Sequence, residues 1–147
     1  MPDVSTIART LRLLWLAVCA GGGLAMGVLG GLAVSQPPAM PEAAEGAFYA
    51  VALLSALALA GAFWLVRRME ERLARAASEI EAEAMIRGYG LAALAAAEVP
   101  TLAAAVAAFL TGDVLTLALG VPLFLFAALT WPSDGRVGYW LALRAVR

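Results

Sequence analysis

Residues 88–110 read GYGLAALAAAEVPTLAAAVAAFL, an apolar run with one charged residue, Glu98, near its centre. A hydrocarbon core of about 30 Å needs about 20 residues in a helix, so this run is long enough to cross a bilayer. Three other apolar runs, at 13–34, 47–66 and 114–131, meet or nearly meet the same length. The sequence therefore predicts an all-α, polytopic membrane protein with four transmembrane helices.

The predicted helices cover about 10–34, 46–76, 79–111 and 113–131, and they form a single domain over 1–147. The first run follows two arginines and ends in small residues, which is also the pattern of a secretory signal peptide. It exceeds the roughly 7–15 apolar residues of a signal-peptide core. We therefore interpret it as a transmembrane helix.

The composition supports the membrane class and excludes several functions. Of the 147 residues, 63% are hydrophobic and 14% are charged, whereas soluble domains have roughly 45–50% apolar and about 25% charged residues. All ten basic residues are arginine and the net charge is -1, so no basic surplus indicates a nucleic-acid partner. The absence of His and Lys removes the commonest haem and metal ligand and any Schiff-base chemistry. With Cys19 as the single cysteine, we expect no cofactor, no metal and no disulfide within the chain.

The arginines predict the orientation of the helices, because cytoplasmic loops are enriched in positive charge. The ten lie at Arg9, Arg12, Arg67, Arg68, Arg72, Arg75, Arg87, Arg136, Arg144 and Arg147. Under a four-helix arrangement, all of them fall at the two termini or in the connection between helices 2 and 3. We expect a multi-pass protein of the bacterial inner membrane with both termini in the cytoplasm.

The connection over 67–87 begins with arginines and continues with acids, which suits the end of one helix and the start of the next. Ser78 and Glu81 form a capping-box pattern at the start of the third helix. Apolar residues recur at helical spacing at Val66, Met69, Leu73, Ala77, Ile80 and Ala84. The sequence predicts a cytoplasmic helical hairpin that is either solvated or docked on a partner. Residues 137–147 are predicted to form a short interfacial helix.

The first apolar run carries Cys19, Gly23, Gly27 and Gly31 at intervals of four residues. Small residues at this spacing let two helix backbones approach closely within a membrane. The stripe is equally consistent with packing inside one chain and with a homo-oligomer or a partner membrane subunit.

Glu98 lies roughly 15 Å along its helix from residue 88, close to the middle of the bilayer. Pro100 lacks the N–H that would bind the carbonyl of Ala96, and it is predicted to kink the helix. Thr101 follows Glu98 by three residues, which places it about one turn further along the same face. Pro122 in helix 4 is predicted to kink its helix and to leave the carbonyl of Ala118 free.

Ser55 is central in helix 2, so it lies at a depth similar to that of Glu98 and Thr101. If these faces converge, the three side chains and the two free carbonyls form an oxygen-lined site for a proton or a small cation. The alternative is a neutral, structural Glu98 that is hydrogen-bonded to Ser55, Thr101 or a carbonyl.

Residues 97–110, AEVPTLAAAVAAFL, resemble the carboxylate helix of rotary ATPase c-type proteolipids, a family that has a four-helix form. The resemblance implies that Glu98 carries H+ or Na+. The chain otherwise resembles small, uncharacterised four-helix membrane proteins of bacteria.

The function expected from these features is a non-catalytic accessory or oligomer-forming subunit in the lipid bilayer. The alternative is a membrane protein that handles protons or small cations through Glu98. A membrane enzyme is disfavoured, because the chain has no His, and Glu42, Asp113 and Asp134 are isolated in the sequence and form no cluster of metal ligands. We therefore assign no catalytic residue.

Overall fold

The computed structural model describes residues 4–143 and is all-α over that range. Its helices are α1 (Val4–Ser35), α2 (Ala44–Leu73), α3 (Glu79–Thr111), α4 (Pro122–Leu129) and α5 (Asp134–Ala142). Two 3-10 helices, Pro41–Ala43 and Val114–Gly120, lead into α2 and α4. By length and composition, three helices are suited to crossing a membrane, or four if the segments after Val114 count as one bent span.

The third helix has the predicted bounds, because local signals set both of its ends. Ser78 is the N-cap and accepts a hydrogen bond from the Glu81 N–H at 3.1 Å. The Glu81 carboxylate accepts one from the Ala77 N–H at 2.8 Å. At the other end, Gly112 adopts a left-handed conformation with φ 73°, and its N–H donates to the carbonyl of Ala108.

The fourth apolar run differs from the continuous helix predicted over 113–131. It forms a 3-10 helix over Val114–Gly120, turns at Val121 and becomes α-helical only at Pro122. Proline is well suited to the first position of a helix, because its missing N–H needs no partner there. Because a 3-10 helix rises about 2.0 Å per residue, residues 114–129 extend roughly 27 Å, nearly the thickness of the hydrocarbon core.

The predicted hairpin over 67–87 is not an isolated projection. Its buried residues join the first turns of α1 and the inner face of α5 in one apolar cluster. That cluster includes Ile7, Leu11, Met69, Leu73, Ile86, Val137 and Trp140. Only some of the apolar residues predicted at helical spacing in this hairpin are buried, since Ile80 is 79% exposed.

Helix α5 begins at Asp134, three residues before the start predicted for the interfacial tail, and residues 144–147 of that tail lie outside the described residues. Arg12 of α1 forms an ion pair with Asp134 at 2.8 Å. The Trp140 indole N–H donates to the Glu70 carboxylate of α2 at 3.2 Å. These contacts hold α5 at the end of the molecule where α1 begins and α2 ends.

Candidate functional site around Glu98

Thr101 connects α3 to the break in the fourth apolar segment. Its side chain is fully buried, and its hydroxyl donates to the carbonyl of Gly120 at 2.9 Å. A side chain at position 120 would place its Cβ 3.2 Å from the Thr101 Cα, so glycine permits this close approach of the two backbones.

Ser55 has the equivalent role on α2. Its hydroxyl lies 3.0 Å from the carbonyl of Leu119 and 2.8 Å from the carbonyl of Val51 in its own helix. A hydroxyl has one proton, so these two carbonyls share it. Two helices thus supply hydroxyls to consecutive carbonyls just before Pro122, as expected where a break in an apolar segment must be satisfied by its neighbours.

The two prolines differ in their effect on the chain. Pro122 coincides with the break, but the carbonyl of Ala118, which we expected to be free, accepts a hydrogen bond from the Val121 N–H at 3.2 Å. That expectation was wrong because it assumed α-helical pairing, whereas 3-10 pairing uses the residue before the proline. Pro100 is buried within α3, and the helix continues through it.

Glu98 lies apart from this cluster, at the seam between α3 and α1. Its Oε1 lies 3.6 Å from the point that a Cβ on Gly21 would occupy, and its side chain is half-buried. Cys19 is within electrostatic range of the carboxylate. No hydrogen bond or ion pair to Glu98 is found within residues 4–143.

We predicted that Glu98, Thr101 and Ser55 converge on one site. Within residues 4–143, they do not share a hydrogen-bond network. The hydroxyls of Ser55 and Thr101 donate to carbonyls of the fourth segment, and neither is bonded to Glu98 in the described part of the chain. The alternative, a structural Glu98 that is hydrogen-bonded to Ser55, Thr101 or a carbonyl, is likewise not seen within residues 4–143. The sequence analysis did not predict that the carbonyls of Leu119 and Gly120 accept these hydrogen bonds. The signal that could have indicated them is a glycine two residues before Pro122.

The surroundings of Glu98 suit a proton better than a metal ion. Calcium and magnesium require six or more oxygen ligands, whereas one carboxylate is enough to bind or release a proton. Across residues 4–143 there is no group of three or more Asp, Glu, His or Cys side chains arranged to hold a metal.

The glycines of α1 divide into a packed set and an open set. A Cβ on Gly22 would lie 3.0 Å from Leu123, and one on Gly30 would lie 2.7 Å from Leu117. Gly27 and Gly31 have nothing within 4 Å of that position, and Gly23 has only the Phe124 ring, at 3.8 Å. The glycines of the predicted small-residue stripe on α1 therefore lie mostly on the outer surface, whereas Gly22 and Gly30 are the ones packed inside the chain.

Comparisons with protein-family models, curated proteins and solved structures gave no match. The assignment of a function therefore rests on the geometry of the helices. Its central features are the Glu98 carboxylate, which has no hydrogen-bond partner among the described residues, and an open glycine face on the adjoining helix.

Proposed function

We propose that this chain is a four-span protein of the bacterial inner membrane that acts as a non-catalytic, oligomer-forming subunit. In the proposed topology, both termini and the connection between α2 and α3 are cytoplasmic. The distribution of arginines supports this orientation. The packing of α5 against the first turns of α1 and the end of α2 supports it as well, because it gathers these segments at one end of the molecule.

The observation that carries the proposal is the outer face of α1. Gly21, Gly27 and Gly31 are all exposed, and at about 100° per residue they lie within about 120° of one another around the helix. Helices in lipid associate mainly through close packing at small residues, because apolar side chains gain little by leaving lipid. A second copy of the chain seated on this face covers the glycines.

The same contact accounts for Glu98, which lies over Gly21 at the edge of this face. A carboxylate at mid-membrane is costly unless it faces protein or water. Within residues 4–143 Glu98 has no hydrogen-bond partner. In the proposed oligomer, a second copy supplies polar groups to its carboxylate.

Disulfide crosslinking in native membranes tests the oligomer. In a Cys19→Ala background, Gly27→Cys and Gly31→Cys are expected to form oxidised dimers. The matched control is Leu53→Cys on α2, which is 63% exposed to the surroundings. Dimer yields at positions 27 and 31 no higher than at position 53 would overturn the proposal, and crosslinking of position 27 to a different protein would replace the homo-oligomer with a partner subunit.

A second candidate function is proton handling by Glu98, supported by its predicted depth in the membrane and by the lack of a hydrogen-bond partner within residues 4–143. The test is proton flux in proteoliposomes. The wild type is expected to carry flux that Glu98→Gln abolishes, while crosslinking at Gly27→Cys persists in both. Equal flux in the wild type and the Gln variant would exclude this role.

A further inference from the structure

A continuous apolar groove runs along the outer side of the α2–α3 pair, away from the glycine face of α1. Its inner part has a volume of about 470 Å³ and its outer part about 430 Å³, and both parts contact Leu65. Small residues leave the groove open, and Cβ atoms on Gly61 and Gly88 would meet nothing within 4 Å. The two helices therefore pack closely without filling this side of their interface.

The inner part has the length of one leaflet. On α2 it extends from Leu54 to Leu65, which is roughly 16 Å along the helix axis. Half of a hydrocarbon core of about 30 Å is about 15 Å. The exposed Trp64 and Val99 form the sides of this part, so it opens toward the surrounding lipid.

Arginine side chains lie at the end of the groove where the apolar run of α2 ends. Arg72 lies over the ring of Tyr89, 5.7 Å from its centroid, and Tyr89 lines the outer part of the groove. An adjoining cavity of about 310 Å³ is lined by Trp64, Arg67, Arg68 and Glu71. Three arginines therefore surround the mouth of the groove.

Two of these three arginines share one carboxylate, and among residues 4–143 the third has none at ion-pair distance. Glu71 is 3.2 Å from Arg68 and 3.9 Å from Arg67, and Glu81 is bonded to a backbone N–H of its own helix cap. Arg72 has no ion pair with any of the described carboxylates. The guanidinium group of Arg72 is therefore available to an anion, beside the Tyr89 ring.

We propose that this groove binds an anionic phospholipid, with its phosphate at Arg68 and Arg72 and one acyl chain along Gly61 and Ala96. Basic pockets beside transmembrane helices bind anionic headgroups, and guanidinium groups match phosphate in geometry and charge. The proposal requires only that α2 and α3 span a bilayer. It is independent of the oligomer and of Glu98.

The experiment extracts the full-length protein from nanodiscs that contain equal amounts of phosphatidylglycerol and phosphatidylethanolamine and counts the retained lipids by native mass spectrometry. The wild type is expected to retain one phosphatidylglycerol per chain in preference to phosphatidylethanolamine. Arg68→Gln combined with Arg72→Gln is expected to lower this preference roughly thirtyfold, because each arginine near an anionic lipid contributes separately. The charge-matched control is Arg9→Gln with Arg75→Gln, which should behave as the wild type.

A second variant tests the acyl-chain site. Gly61→Leu fills the inner part of the groove without a clash and is expected to abolish retention of both lipids, whereas Gly46→Leu, at an open position outside the groove, should not. Equal retention of the two lipids by the wild type would overturn the proposal. Losses in the controls as large as those in the groove variants would overturn it too.

Discussion

Thr101 and Glu98 lie within one turn of each other on α3, yet in the described part of the chain only Thr101 finds a hydrogen-bond partner. Thr101 is buried and donates to the carbonyl of Gly120, whereas Glu98 is half-buried beside Gly21 and has no hydrogen-bond partner among residues 4–143. A hydroxyl carries a proton to donate, but an ionised carboxylate only accepts. Carbonyls exposed by a break in a helix can therefore be satisfied by Ser or Thr and not by ionised Glu.

The glycines of α1 show the same contrast between an inner and an outer face. Gly22 and Gly30 are buried against side chains of the fourth segment, while Gly27 and Gly31 are exposed. The inner face of α1 packs against the rest of the chain, and the outer face is available for association with a second copy. Substitutions on the two faces should separate stability from assembly.

The largest effect is expected for Gly22→Leu. Its new side chain would meet Leu123 at 3.0 Å and Thr101 at 3.2 Å already at the Cβ, and overpacking of this kind costs about 3 kcal/mol. Unfolding by denaturant in detergent, with the chain monomeric, measures the loss. The control is Gly27→Leu, which has open space, and equal stability of the two variants would refute the division of the helix into two faces.

Thr101→Val should cost less, about 1–2 kcal/mol, because it keeps the shape of the side chain but leaves a buried carbonyl without its hydroxyl. The matched control is Thr130→Val, since the Thr130 hydroxyl donates at 2.7 Å to Phe126 within its own segment. The same unfolding measurement applies. If Thr130→Val were the more destabilising of the two, the link between α3 and the fourth segment would not be the stabilising one.

Ser55→Ala is expected to cost about 0.5–1 kcal/mol, less than Thr101→Val, because its single proton is already shared with a carbonyl of its own helix. The double variant with Thr101→Val should show coupling, since both hydroxyls support the same break. Strict additivity of the two unfolding free energies would indicate that the two hydroxyls act independently.

Glu98→Gln should have the smallest effect, within about 0.5 kcal/mol in monomeric protein, since Glu98 makes no hydrogen bond with the part of the chain that the structure describes. Its consequences should be confined to assembly or proton flux. A loss of monomer stability as large as that of Thr101→Val would mean that Glu98 has a structural partner within the chain.

The bounds of α3 could be predicted because its ends are local features, a Ser78 cap with Glu81 and a terminal Gly112. The fourth segment could not be predicted as a continuous helix, because the choice between α and 3-10 pairing at Gly120 and Pro122 depends on the hydroxyls that face it. The position of Glu98 near the middle of its helix followed from counting residues. Its position at the seam did not, because it depends on which face of α3 meets α1.

The sequence by itself determined the all-α class, the apolar segments long enough to cross a membrane and the residues placed near their centres, since these follow from hydropathy and helical rise. Only the tertiary structure decided which polar groups meet. Ser55 and Thr101 donate hydrogen bonds to the carbonyls before Pro122, Glu98 lies half-buried at the seam between α1 and α3, and Gly27 and Gly31 are open. The physical reason is that hydropathy hardly distinguishes the faces of a helix that is apolar all round, so the rotation of each helix is set by packing against its neighbours.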